Sequence, residues 1–197
     1  DAQSFALVRL LSGAVMLVAL MFWRRKAWPR FANGLGPRVA GVGGLLVYLF
    51  GFSIAYVDLA AGTGALVLFG MVQITMFAGA LLAGERVAAA RWMGAAVAFA
   101  GLVVLVLPSL ALGGVWPMVA MALAGVGWGI YSLAGRRAGD ALAATAANFT
   151  LAVPIAVVIW VLQAQAQAQA QGIALAVVSG ALTSGLGYAL WYQLVPQ

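Results

Sequence analysis

Seven long apolar stretches alternate with short connections, and nearly all the basic residues fall on every second connection. A bilayer core of about 30 Å needs roughly 20 consecutive apolar residues per helix. The stretches 5–23, 39–57, 63–83, 92–108, 116–134, 143–162 and 173–194 meet that requirement. In lipid every backbone group must pair within the protein, which leaves only helices or closed barrels. A barrel strand alternates polar and apolar residues, and none of these stretches does. The expected fold class is an all-α membrane protein, a polytopic bundle of about seven transmembrane helices.

Composition supports this. Hydrophobic residues make up 65% of the chain, charged residues 7%, and the mean hydropathy is +1.08, where a soluble domain carries about a quarter charged residues. The pI of about 10.6 would suit nucleic acid, but the basic residues sit at helix ends with no polar domain to present them. The partner they imply is the lipid bilayer, and no nucleic-acid partner is expected. The chain has no cysteine and no histidine. That removes thiolate metal sites and imidazole acid–base chemistry. No two carboxylates share a midplane position, and no GxxxxGK[ST] stretch occurs. The chain is not expected to be an enzyme, or to hold a metal or cofactor.

The charges also orient the bundle. The first connection carries Arg24, Arg25, Lys26, Arg30 and Arg38; the third carries Glu85, Arg86 and Arg91; the fifth carries Arg136, Arg137 and Asp140. The second holds only Asp58, and the fourth and sixth hold no charge. Positive charge stays on the cytoplasmic side. The first, third and fifth connections are therefore expected inside, with Asp1 outside and the C-terminus cytoplasmic, in a bacterial inner membrane. Apolar stretches directly follow Asp1 and directly precede Pro196-Gln197, so the chain is expected to be part of a longer protein. A helix before Asp1 would also explain an outside N-terminus.

The 25 glycines predict close helix contacts, with Gly125 and Gly129 at GxxxG spacing and Gly94 seven residues before Gly101. Gln163 to Gln171 is a low-complexity stretch with no chemistry of its own. Shifting the second span by 137 positions lays Gly43 on Gly180 and Leu45 on Leu182. Five helices separate the two copies, so they enter the membrane from opposite sides. This is the pattern of an inverted repeat, a common plan in secondary transporters.

Three stretches carry a family resemblance. Residues 65–107, with Gly84-Glu85-Arg86 between two apolar helices, then Gly94 and Gly101, resemble the end of an EamA repeat of the drug/metabolite transporter superfamily. Residues 179–194, SGALTSGLGYALWYQL, resemble the third helix of the second repeat. Phe5 to Leu10, FALVRL, resembles the start of the second helix, where an arginine like Arg9 is usual. The resemblance implies ten helices in two inverted five-helix repeats, of which this chain would hold the second to the eighth. Residues 1–108 would be the remainder of the first repeat and 109–197 the start of the second. It also implies a carrier, more commonly an exporter, of small amphiphilic solutes such as amino acids, working by alternating access. The alternative is a non-transporting transmembrane subunit packed against other subunits of a larger complex.

Arg9 is the one ionisable residue inside a span, about a turn from its outer end; it can snorkel outward, make a structural contact or bind substrate. The resemblance favours the structural contact. Glu85, beside Arg86 and six residues before Arg91, is expected to fix the turn between two helices. Midplane amides, hydroxyls and aromatic rings are the candidates for solute binding, because in lipid they must face other helices or a wet cavity. They are Tyr48, Phe52, Gln73, Trp128, Tyr131, Tyr188 and Trp191, with Thr75 and Asn148 as further polar midspan residues. Tyr48, Gln73, Trp128 and Tyr188 are expected to gather around one space. No histidine or carboxylate lies within a span, so no proton-coupling site is expected here.

Overall fold

The computed structural model describes residues 1–29, 35–136, 139–162 and 169–187; over 105–113 it describes the backbone alone. The described residues form helices and no strand. They are α1 (Ala2–Trp23), α2 (Leu35–Ala55), α3 (Ala61–Leu82), α4 (Ala89–Gly113), α5 (Val115–Gly135), α6 (Ala141–Leu162) and α7 (Ala170–Val178), the last continuing as a π-helical segment over Ser179–Leu186. Helices α1, α2, α3, α5 and α6 are long and apolar enough to cross a membrane; at 1.5 Å per residue each spans about 30 Å. The protein is membrane-integral, and its outer helix faces contact lipid.

Local chemistry sets the helix ends. Asp1 caps α1, its carboxylate accepting from the Ser4 backbone N–H at 2.7 Å and from the Ser4 hydroxyl at 3.0 Å. Pro37 and Pro117 stand in the first turns of α2 and α5, where a missing N–H is harmless. At the end of α3, Gly84 adopts φ 75° while the Glu85 N–H reaches back to the Ala80 carbonyl at 3.0 Å. This left-handed cap is why glycine stands at the head of Gly84-Glu85-Arg86. The same closure ends α1, with Lys26 N–H on the Met21 carbonyl, but there Arg25 takes the positive φ of 51°. A non-glycine residue held there stores about 1 kcal/mol of strain or more.

Helix α5 is the hub. It packs most extensively on α2 and next on α3. Small residues on two of its faces make both contacts close. Toward α2, a Cβ on Gly44 would lie 2.6 Å from the Gly127 carbonyl oxygen, and one on Gly51 would lie 2.8 Å from that of Ala120. Toward α3, Gly125 admits the Leu68 backbone and Met71, and Gly129 admits Thr75. The GxxxG pair therefore packs as its spacing predicts. Gly94 and Gly101 do not: nothing lies within 4 Å of a Cβ on either. Among the described residues α4 leans mainly on α3 and, weakly, on α5, and its described side chains are mostly exposed. Seven-residue spacing marks a face without saying whether anything covers it.

Around this hub, α1 packs against α6, α7 and the π segment, and α2 also packs against α6. Helices α1 and α6 approach where Phe149 fills the space above Gly13. The connections beyond α1, α3 and α5 lie together at one end of the bundle. Lys26 pairs with Asp140 at 2.9 Å, and Arg136 approaches Glu85 to 3.8 Å.

Candidate functional site

Arg9 lies about two turns into α1, since the helix begins at Ala2. A side chain this deep must either reach out of the bilayer or bury its charge. It buries it: the residue is 6% exposed and turns toward α2. Its Nη2 donates to the Tyr48 hydroxyl at 2.9 Å. The guanidinium carbon lies 5.0 Å from the centre of the Phe52 ring and 5.5 Å from that of Tyr48, within cation–π range. Arg9 Nε is buried and has no hydrogen-bond partner.

The rings extend the site across three helices. Tyr48 and Phe52, one turn apart on α2, stand edge to face with centres 5.6 Å apart. Tyr48 meets Trp128 of α5 at 4.9 Å, and Trp128 meets Phe69 of α3 at 5.9 Å. Phe52 also meets Tyr56 at 4.6 Å. Tyr48 is buried, Phe52 and Trp128 are half-buried, and Phe69 is exposed. The group thus runs from a buried cation to an exposed aromatic ring on α3. Behind Arg9 the backbone is pinned: a Cβ on Gly180 of the π segment would collide with Ser12 Oγ and the Arg9 carbonyl. Ser53, one position after Phe52, has a buried hydroxyl with no hydrogen-bond partner.

The other sequence candidates fall in different places. Gln73 is exposed on α3, one turn from Phe69 on the same face, and outside the Tyr48–Trp128 contact. Thr75 turns its hydroxyl onto the Met71 carbonyl at 2.7 Å. Tyr131 is buried between α5 and α6, its hydroxyl 3.3 Å from Thr145 Oγ1. Tyr188 and Trp191 lie outside the described residues. Glu85 is half-exposed and faces Arg136 across to α5, while Arg91 is exposed at the start of α4. The acidic group on the third connection therefore ties two helix ends together instead of bracing its own turn.

A second polar group was legible only in pieces. Arg38, counted among the topology charges, lies in the first turn of α2, because that helix begins at Leu35. Its Nη1 donates to Asn148 Oδ1 at 2.9 Å and to the Ala144 carbonyl at 3.1 Å, both on α6. Gly41 makes the room: a Cβ there would lie 2.7 Å from Asn148 Nδ2. The usable signal was an arginine three positions before a glycine, with an asparagine in a facing span. At the other end of α6, Trp160 donates to the Ser4 hydroxyl at 2.9 Å. On the fifth connection, partial burial pushes the Asp140 carboxyl upward. The Lys26 ammonium and the Ala143 and Leu142 backbone N–H groups outweigh that and hold it below its usual range.

No family model matches the chain, and no solved structure matches it. Over all 197 of its residues it is 43% identical to an uncharacterized protein of Pseudomonas aeruginosa, PA1977, of whose length it covers 67%. The chain belongs to that protein's family. The relative's name states no activity, so the Arg9 group and the helix pairing have to carry the functional reading.

Proposed function

We propose that this chain is the body of an EamA-type carrier of the drug/metabolite transporter superfamily, moving small amphiphilic solutes such as amino acids by alternating access, with export the expected direction. The supporting observation is the helix pairing. On the ten-helix plan α1 and α6 are the second helices of the two repeats, and α2 and α7 the third. Exchanging the repeats maps the α1–α6 contact onto itself and the α1–α7 contact onto the α2–α6 contact, and all three occur. The residues follow suit. Ser12 precedes Gly13 as Asn148 precedes Phe149; Asn148 sits over Gly41 of α2, and Ser12 sits over Gly180 of the π segment. On this plan Gly41 is the counterpart of Gly180, whereas Gly43, paired with it by sequence, meets nothing within 4 Å. Such a two-fold arrangement gives a carrier two related conformations open to opposite sides.

In this reading the end where Lys26 meets Asp140 is cytoplasmic. Single cysteines replacing Ala27 and Ala89 should resist an impermeant thiol reagent in intact cells, and one replacing Ala60 should react; the reverse pattern would invert the orientation. Transport is tested by reconstituting the complete protein in liposomes and measuring exchange of radiolabelled amino acids. Saturable exchange supports the carrier, and its absence for every protein amino acid overturns it. The open faces of α3 and α4, with Gly94 and Gly101 uncovered, favour a second reading, a transmembrane subunit of a larger complex. A membrane protein co-purifying in fixed ratio, with no exchange activity, would select that reading.

A further inference from the structure

We infer that Arg9 is the anchor for a carboxylate, and that the solute taken by this site is a small amphiphilic acid whose apolar body lies along the Tyr48, Phe52 and Trp128 rings. The assignment of substrate class rests on the carrier reading; the binding site itself does not.

The argument is one of charge and saturation. A guanidinium is always protonated and carries five N–H donors. Buried in a membrane bundle, it is costly unless paired. The protein has four acidic side chains, and each is accounted for. Asp1 caps α1, Asp140 pairs with Lys26, Glu85 faces Arg136, and Asp58 is exposed in the turn after α2. None forms an ion pair with Arg9. The partners of Arg9 are a neutral phenol and two ring faces, and its Nε is buried with no acceptor. Ring faces attract a cation but accept no strong hydrogen bond, so the group keeps its charge and part of its donor capacity. An arriving carboxylate supplies both the negative charge and the acceptor oxygens, in the fork geometry an arginine matches best.

The rings select what the carboxylate is attached to. Two half-buried aromatic side chains lie beside the charge, Phe52 with its ring centre 5.0 Å from the guanidinium carbon and Trp128 against the Tyr48 ring. A compact, fully hydrated anion leaves these faces uncovered, while an aryl or alkyl acid covers them. A lipid phosphate offers the same kind of oxyanion, but it would bring its head group two turns into α1, to a side chain that is 6% exposed.

The test compares phenylacetate with phenylacetamide, which has the same shape without the charge, on the complete protein in phosphatidylcholine nanodiscs. Phenylacetate is expected to raise the unfolding temperature in a saturable way and the amide to leave it unchanged. Arg9→Gln should weaken phenylacetate binding about tenfold to a hundredfold, the range for a charge-assisted hydrogen bond. Arg9→Lys should lose most of that affinity, because an ammonium cannot make the bidentate contact. Equal effects of acid and amide on the wild-type protein would overturn the proposal, and this comparison needs no folded variant. Phenylacetate binding that survives Arg9→Gln would overturn it too. So would an Arg9-dependent stabilisation by phosphatidylglycerol that phenylacetate does not reproduce, which would make the site a lipid seat. Carboxylate binding without exchange in liposomes would remove the carrier reading and leave the site. Exchange indifferent to the carboxylate would do the opposite.

Discussion

Two arginines, Arg9 and Arg38, meet neighbouring helices under different conditions. Arg38 stands in the first turn of α2, half-buried, with two carbonyl oxygens of α6 in front of it. Arg9 stands two turns inside α1, nearly fully buried, facing one hydroxyl and two rings. The first finds its acceptors within the protein and near the polar boundary, so its work is to join α2 to α6. The second is deeper and less satisfied, with a buried Nε that has no acceptor among the described residues, and the proposed carboxylate site rests on that difference. Depth alone does not mark a functional charge. Depth together with unfilled donor capacity is what makes Arg9 the better candidate.

The largest effect should come from the backbone that holds Arg9 in place. Gly180→Val places a side chain against the Arg9 carbonyl, which cannot move aside as a flexible side chain would. A loss of about 3 kcal/mol or more is expected, seen as little folded protein. Gly41→Ala, which meets only the Asn148 side chain, should be much milder. If both are equally damaging, the two sites are equally rigid and the contrast fails. Next, Arg38→Met removes two hydrogen bonds from a charged donor and should lower stability by about 2 kcal/mol, with phenylacetate affinity unchanged in the surviving protein. A selective loss of binding there would move the functional charge to Arg38. Arg9→Met should behave oppositely. Removing an unpaired buried charge in favour of an apolar chain should be neutral or stabilising by about 1 kcal/mol, with acid binding lost. A large drop in unfolding temperature would make Arg9 structural. The smallest effect is expected at the surface. Asp140→Asn should cost less than about 0.5 kcal/mol, because its pair with Lys26 is partly exposed. Because the carboxyl is held below its usual range, that contribution is present near neutral pH. It disappears as pH falls through the lowered value of the folded protein. A wild-type and Asp140→Asn pair that differ as much at low pH as at neutral pH would contradict that pairing.

Five of the seven spans read in the sequence are helices long and apolar enough to cross a membrane, legible because bilayer thickness imposes one length on every span; among the described residues the other two are shorter apolar helices, Ala89–Val104 and Ala170–Leu186. The helix ends were less legible. The second span read as 39–57 is α2 at 35–55, and that shift of four residues separates Arg38 as a loop charge from Arg38 as a helix contact. Pro108 ended the fourth span in the sequence, yet the α4 backbone continues to Gly113; prolines are tolerated in membrane helices where neighbouring groups re-pair the backbone. The π segment has no readable signature; within it Gly180 and Gly185 sit close against Ser12 and Met16 of α1. Of the candidate site, Tyr48, Phe52 and Trp128 were readable as midspan rings, and they do come together. Gln73 was readable only as polar. Which face of α3 it takes depends on packing against α5, where Gly125 and Gly129 set the contact.

The two ion pairs, Lys26 with Asp140 and Arg136 with Glu85, lace the same end of the bundle. At the other end the contacts are neutral or helix-capping, such as Trp160 on Ser4 and Asp1 on its own helix. Dissolved salt screens exposed charge pairs over about 8 Å at physiological strength and over less as it rises, but it barely touches a half-buried bond between a neutral indole and a hydroxyl. Among the described residues, ionic strength therefore acts more strongly on one end of the molecule than on the other. For the carrier proposed above, the ion content of the compartment bathing the laced end would bias which opening is favoured.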